Sequence, residues 1–331
     1  MDKMKILLKI KHLMQRFVVC CKEYPQDCRE FGHKVAWVKF WDVLIPTGKS
    51  KKYINTISDY VCSELKDLTL EYHAQTAKPK KKLDKTPIWV CWWQGEENAP
   101  PVVQACVQRM RTLIPGNAQL HLITWDNLND YVELPEYIFE KYNKGLITNI
   151  HMSDILRYAL VSTYGGAWID STVWLSDQSK DKLPEYLSRQ YFTQRFKSWE
   201  ECPKEACRGK WCNFFFMGQS FCALFSYVYE ALLLWWKKHN RLIDYVIVDY
   251  ILWAGYCGVP AITQCIDAVE PNNPHIWLMA KHQNDAYIKE NYDSLLASND
   301  FFKLSYKGKL TTQTEDGSKT VYGHILSENE K

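Results

Sequence analysis

From residue 86 onward the chain alternates short, wholly apolar runs with longer segments of helical period. Ile88-Trp89-Val90-Cys91-Trp92-Trp93 has no strongly polar position, so a strand there must be covered on both faces. Gln94-Gly95 closes it, and Pro100-Pro101 opens a helix through about Leu113. Leu120-His121-Leu122-Ile123-Thr124-Trp125 reads as a second strand. A helix over 149–164 then leads into a third, Ala167-Trp168-Ile169-Asp170. A strand from Trp211 to Met217 and helices over 221–239 and 243–254 follow. Repeated β–α–β units predict a largely parallel sheet flanked by helices, with no internal repeat. Ligands of such sheets gather beyond the carboxyl ends of the strands.

The segment before residue 86 has a different texture. Residues 1–85 hold 18 Lys+Arg against 10 Asp+Glu, whereas the rest hold 23 against 28. A basic front on an acidic body suits contact with phosphate or an anionic membrane surface; an ordinary solvated helix face fits the same count. Roughly the first 75 residues read as helical. Ile6, Ile10, Leu13, Met14 and Phe17 share one face, punctuated by Lys9, Lys11 and Arg16. Such a basic amphipathic helix either lies on an anionic leaflet or packs its stripe into the core. Trp37, Phe40 and Trp41 form an aromatic cluster closed by Ile45-Pro46-Thr47-Gly48 and the basic run 49–52. Lys78-Pro79-Lys80-Lys81-Lys82-Leu83-Asp84-Lys85 reads as a solvated linker. No nucleic-acid motif accompanies that charge run, so no nucleic-acid partner is expected. The expected division is a basic helical extension over 1–85, with its linker at 78–85, and a body over 86–331.

Composition removes several classes. With 47% hydrophobic and 24% charged residues the chain is not generally disordered. No apolar run approaches the ~18 residues of a membrane-spanning helix. Twelve cysteines in a chain with no secretory signal read as reduced thiols of a cytosolic protein. Cys202, Cys207, Cys212 and Cys222 lack the paired CxxC spacing of a zinc ribbon, so buried or half-buried thiols are expected there.

The densest candidate for chemistry runs from Ser153 to Thr172. Ser153 is the expected N-cap, placing Asp154 in the first helical turn and Arg157 three residues on, on the same face. Gly165-Gly166 breaks the helix, and the strand that follows ends in Asp170. Two carboxylates and a guanidinium in one cleft suit a pyrophosphate with a divalent cation: Asp170 for the metal, Arg157 for phosphate, Asp154 for hydroxyls. The plainer reading is a helix-start ion pair and a carboxylate capping a turn.

Trp92-Trp93-Gln94-Gly95, the Ser-Asp-x-x-Arg helix and Tyr164-Gly165-Gly166-Ala167-Trp168-Ile169-Asp170 resemble the glycosyltransferase family 32 group. The likeness is strongest to its capsular polysaccharide synthesis branch, through Trp-Ile-Asp-x-Thr, and runs from about residue 30 to the C-terminus. It takes in Asp244-Tyr245 and Leu304-Ser305-Tyr306-Lys307; the Asp154, Arg157, Asp170 spacing is also similar to that of large glucosylating toxins. The resemblance implies that Trp92 stacks on uracil, with Gln94 beside it in the cofactor site. Asp154 would hold hydroxyls of the donor sugar, and Arg157 sugar and phosphate. It implies that Asp170 is the first Asp of an Asp-x-Asp metal motif for Mn²⁺ or Mg²⁺, and that Thr172 replaces the second. Asn213 and Asp244 would line the donor and acceptor pocket, and Lys307 would fold over the pyrophosphate. Because a hydroxyl is a poorer ligand than a carboxylate, three outcomes stand open: a weaker metal site, a borrowed ligand such as His324, or neutralisation by Arg157 and Lys307.

The expectation is therefore an A-type glycosyltransferase fold, a mostly parallel sheet flanked by helices. The expected reaction moves a hexose, galactose or glucose, from UDP to a saccharide acceptor, lipid-linked, with retention. The expected place is the cytoplasm, peripheral on the inner face of the membrane. The rivals are a non-catalytic UDP-sugar or glycan-binding protein and a glycoside hydrolase with paired carboxylates.

Overall fold

The computed structural model describes residues 3–45, 49–74, 81, 83–202 and 205–328. Half of the expected linker (78–80 and 82) and the expected turn at 46–48 lie outside the described residues, as do the side chains of Ile6 and Lys9.

Strand β1 (Thr86–Cys91) is an interior strand of the main sheet, with Ile88, Trp89 and Val90 fully buried. It pairs in parallel with β2 (Ala118–Ile123) on one side and β3 (Gly166–Ile169) on the other. Two short strands, β4 (Val173–Leu175) and β5 (Tyr191–Thr193), follow β3, and β6 (Phe215–Gly218) then runs antiparallel beside it. The sheet order is β2-β1-β3-β6-β5. Because β5 is antiparallel to β6, it points with β1, β2 and β3, and β6 alone is reversed. The mostly parallel sheet with flanking helices is the α/β architecture expected from the apolar runs. The reversal was not legible, because a fully buried strand reads the same in either direction. The expected strand from Trp211 is shorter, beginning at Phe215. Strand β4 pairs with β7 (Phe301–Lys303) in a second, two-stranded sheet.

Gly165 and Gly166 carry the turn from helix Asn149–Tyr164 into β3 with φ of +74° and +86°. A Cβ on Gly166 would lie 2.0 Å from the Pro87 carbonyl oxygen, so its absence lets β3 seat against β1.

Helix Lys3–Leu44 is two helices folded back at Gly32, whose φ is 80°. Phe17 meets Phe40 edge-on and Tyr24 meets Trp37, so the two arms run antiparallel. The inner end docks on the body: Phe31 stacks on Trp235, Glu30 pairs with His239, and Glu23 with Arg241. Leu13, Met14, Phe17, Val18, Trp37 and Trp41 of the outer end stay exposed, so that stripe does not pack into the core of this chain. Helices Lys51–Glu64 and Lys66–Ala74 do pack inward: Ile54, Ile57, Val61 and Leu65 belong to one buried cluster that crosses residue 85 and continues to Ile325. Among the described residues no helix is long and apolar enough to cross a membrane.

Candidate active site

Adjacent parallel strands β1 and β3 deliver their carboxyl ends to the same edge, with Trp89 beside Trp168 in register. Trp92 therefore emerges one residue past β1 and Asp170 one residue past β3. Helix Asn149–Tyr164 supplies Asp154 and Arg157. Its cap is Thr148, whose hydroxyl accepts from the His151 N–H; Ser153 is interior and donates to the Asn149 carbonyl. Asp154 thus sits in the second turn, not the first. Threonine and serine cap alike, so the helix start could not be assigned from residue type alone.

Arg157 lies between the two carboxylates, with Nη2 3.2 Å from Asp154 Oδ1 and 3.8 Å from Asp170 Oδ1. Its guanidinium lies over the Trp168 ring at 5.0 Å and donates to the Asn213 carbonyl. Asp170 Oδ1 accepts from Trp168 Nε1 at 2.8 Å, and Oδ2 accepts from Lys303 Nζ at 2.6 Å. Burial works against the Asp170 charge, but Lys303 and Arg157 outweigh it and hold its pKa below the usual carboxylate range. Burial raises that of Asp154 despite Arg157. The Asp170 side chain is 25% exposed.

Trp92 is half-buried, meets the exposed Tyr306 ring edge-on at 5.5 Å, and has a buried indole N–H with no acceptor among the described residues. Trp93 turns to the other side, buried, stacked on Trp125 at 4.0 Å and donating to Asn149 and Ser153. That alternation is the one expected of strand residues.

A family description, "Capsular polysaccharide synthesis protein", matches residues 40–325. The chain belongs to that family. It is also similar to an O-glycosyltransferase, braB, of Annulohypoxylon truncatum, at 28% identity over 102 residues, 28% of this chain and 24% of that protein. The chain thus spans about a quarter of the length of this curated relative. No solved structure matches.

The remaining expected site residues of this family member fall in several places. Asn213 is close by: Oδ1 accepts from Tyr158 at 2.8 Å, and Nδ2 donates to Asp249 at 2.7 Å. Asp249 is buried, also accepts from Trp211, and has its pKa pushed up to about 7 by burial. Asp244 is saturated by Lys49, Tyr53, Tyr250 and the Val246 N–H, a joint between helix Lys51–Glu64 and the body. Gln94 is exposed on a turn, and Lys307 is exposed beyond Tyr306. His324 stacks on Tyr287 and meets Glu328. The free thiol of Cys202 hydrogen-bonds that of Cys207, Cys212 faces Thr193, and Cys222 faces Cys265 at 3.8 Å, so the four cysteines do not converge on one point.

The donor set does not fit a divalent metal. Each oxygen of Asp170 already accepts a donor, one an indole N–H and the other an ammonium, and a second cation flanks them. Thr172 is buried and its carbonyl accepts from Leu304 N–H. Among the described residues no three His, Cys, Asp or Glu side chains gather as ligands. A divalent ion here would meet a single carboxylate already accepting two donors, with the like charges of Lys303 and Arg157 beside it.

Lys303 is a residue that sequence reading missed, and Tyr306, within the Leu304-Ser305-Tyr306-Lys307 motif, has no role in that reading. Phe301-Phe302-Lys303 reads as a strand ending in a lysine, which is the signal that could have found the first.

Proposed function

We propose that the protein is a glycosyltransferase of the A-type fold, moving a hexose from UDP to a saccharide acceptor with retention. The observation that carries this reading is the company Trp92 keeps. A half-buried indole stands at the carboxyl ends of adjacent parallel strands, beside a guanidinium held on two carboxylates. The four like-directed strands and the name of the O-glycosyltransferase relative support it.

In this reading uracil lies on Trp92 with Tyr306 across from it, Arg157 grips the diphosphate, and Asp154 holds sugar hydroxyls. The bond from C1 to the β-phosphate oxygen breaks with its electron pair going to that oxygen. The acceptor oxygen bonds C1 from the same face and passes its proton to the departing UDP, so no separate base is needed. Asn213 positions Arg157 through its carbonyl. Catalysis is then positioning and stabilisation of charge developing on UDP.

Trp92→Ala should weaken UDP binding roughly ten- to a hundredfold, since stacking of a base contributes about 1–3 kcal/mol. Trp93→Ala should leave UDP affinity nearly intact and lower stability by about 3–5 kcal/mol, as truncating a buried indole does. Calorimetric UDP titration and denaturant melts of both variants check the pair. If UDP affinity survives Trp92→Ala, the nucleotide site is wrongly placed; UDP release from a panel of UDP-hexoses tests the transfer itself.

We further propose that the outer end of the N-terminal hairpin rests on an anionic leaflet, where a lipid-linked acceptor would lie. Exposed Leu13, Met14, Phe17, Trp37 and Trp41 beside Lys11 and Arg16 support this. The protein should float with anionic liposomes and less so at high salt, and Lys11→Gln with Arg16→Gln should reduce flotation. No flotation with any vesicle would refute membrane contact.

A further inference from the structure

The strand pairing that places Lys303 gives it more than a structural task. Lys303 ends β7, opposite Val173 of β4, and its backbone N–H donates to the Ile276 carbonyl at 2.9 Å. Its ammonium lies 5.3 Å over the Phe214 ring and 2.6 Å from Asp170 Oδ2, with the side chain 15% exposed. Asp170 is itself held from behind by Trp168 Nε1 and by its own backbone N–H to the Phe214 carbonyl. A cation on a flexible stem is thus fixed in one place from several directions.

We propose that Lys303, seated on Asp170, is the cation that bridges this carboxylate to the donor diphosphate, where a related enzyme would use a divalent metal. The inference rests on the UDP-sugar reading above. An ammonium has three donors, and Asp170 Oδ2 takes one, leaving two for diphosphate oxygens. Arg157, across Asp170 Oδ1 at 3.8 Å, supplies the second positive charge. Two cations against a diphosphate match the charge that a metal would neutralise, and both are present before substrate arrives, so no reorganisation is required as UDP departs. The acceptor proton still goes to UDP. The same arrangement explains why Thr172 suffices where a second acid would otherwise stand: the position need not ligate a metal.

The test uses the full-length purified protein and two probes, UDP and uridine, titrated calorimetrically with EDTA or with Mn²⁺ present. Wild type should bind UDP in EDTA, with Mn²⁺ changing the affinity little. Lys303→Gln should lower UDP affinity about ten- to a hundredfold, the range expected for a lost hydrogen bond to a charged group, and leave uridine affinity unchanged. Lys303→Arg, which keeps the charge, should recover most of the loss. A merely structural role would weaken both probes together. UDP binding that needs Mn²⁺, equal loss of UDP and uridine in Lys303→Gln, or no loss of either overturns the inference while the UDP-sugar reading stands. Failure of wild type to bind UDP under either condition overturns that reading and the inference with it.

Discussion

Asp170→Asn is expected to lower sugar-transfer turnover by about two to three orders of magnitude, the scale seen when one preorganised electrostatic group is removed. The reason is the donor pattern around the side chain. One carboxylate oxygen accepts an indole N–H and the other an ammonium. An amide has only one acceptor, so either rotamer aims its NH₂ group at a donor, and Lys303 or Trp168 loses its partner. Arg157 also loses one of its two carboxylate partners. Because Lys303 and Arg157 hold the Asp170 pKa below the ordinary range against the effect of burial, this carboxylate stays ionised through mildly acid solution. Turnover that depends on it should fall only below that range. Measured by UDP release at saturating donor, activity within about threefold of wild type would remove Asp170 from the site, since loss of such a group has a far larger effect.

Gly166→Ala should destabilise the fold on the order of 4 kcal/mol or more, with folded yield falling sharply. Two costs coincide there. A φ of +86° is strained for any residue with a Cβ, and that Cβ would stand 2.0 Å from the Pro87 carbonyl oxygen and 2.8 Å from its ring. Backbone on β1 cannot yield without disturbing its pairing with both β2 and β3. Gly116→Ala is the control, because a Cβ there meets nothing within 4 Å. Denaturant melts of the two variants should diverge widely. Equal midpoints would show that β3 can shift away from β1 at little cost.

The two glycines also show how far a linear reading reaches. Gly165-Gly166 after a helical run announced a break, and the direction of the next strand followed from the β–α–β rule. The separation of Trp92 from Trp93 was legible for a similar reason, since alternation in a strand is local geometry. So was the meeting of Asp154 and Arg157 three residues apart on one helix. The N-terminal stripe at Leu13, Met14 and Phe17 was legible as amphipathic, whereas its fate was not. Whether such a face is buried depends on what folds against it, and the return arm after Gly32 covers only part of it.

Local geometry decided the elements, the two-faced burial of β1 and β3, and the meeting of Asp154 with Arg157, because each follows from dihedral preference and spacing within a few residues. Tertiary contact decided the rest. Asp244, which resembled a pocket residue, is consumed by Lys49 and Tyr53 from nearly two hundred residues earlier in the chain. Lys307, the expected cation, is exposed. Lys303, on the same segment, meets Asp170 instead, because β7 pairs with β4 immediately beyond β3. No spacing rule connects positions so far apart in sequence: which charge meets which is settled by strand pairing and by the burial that makes an unpaired carboxylate costly.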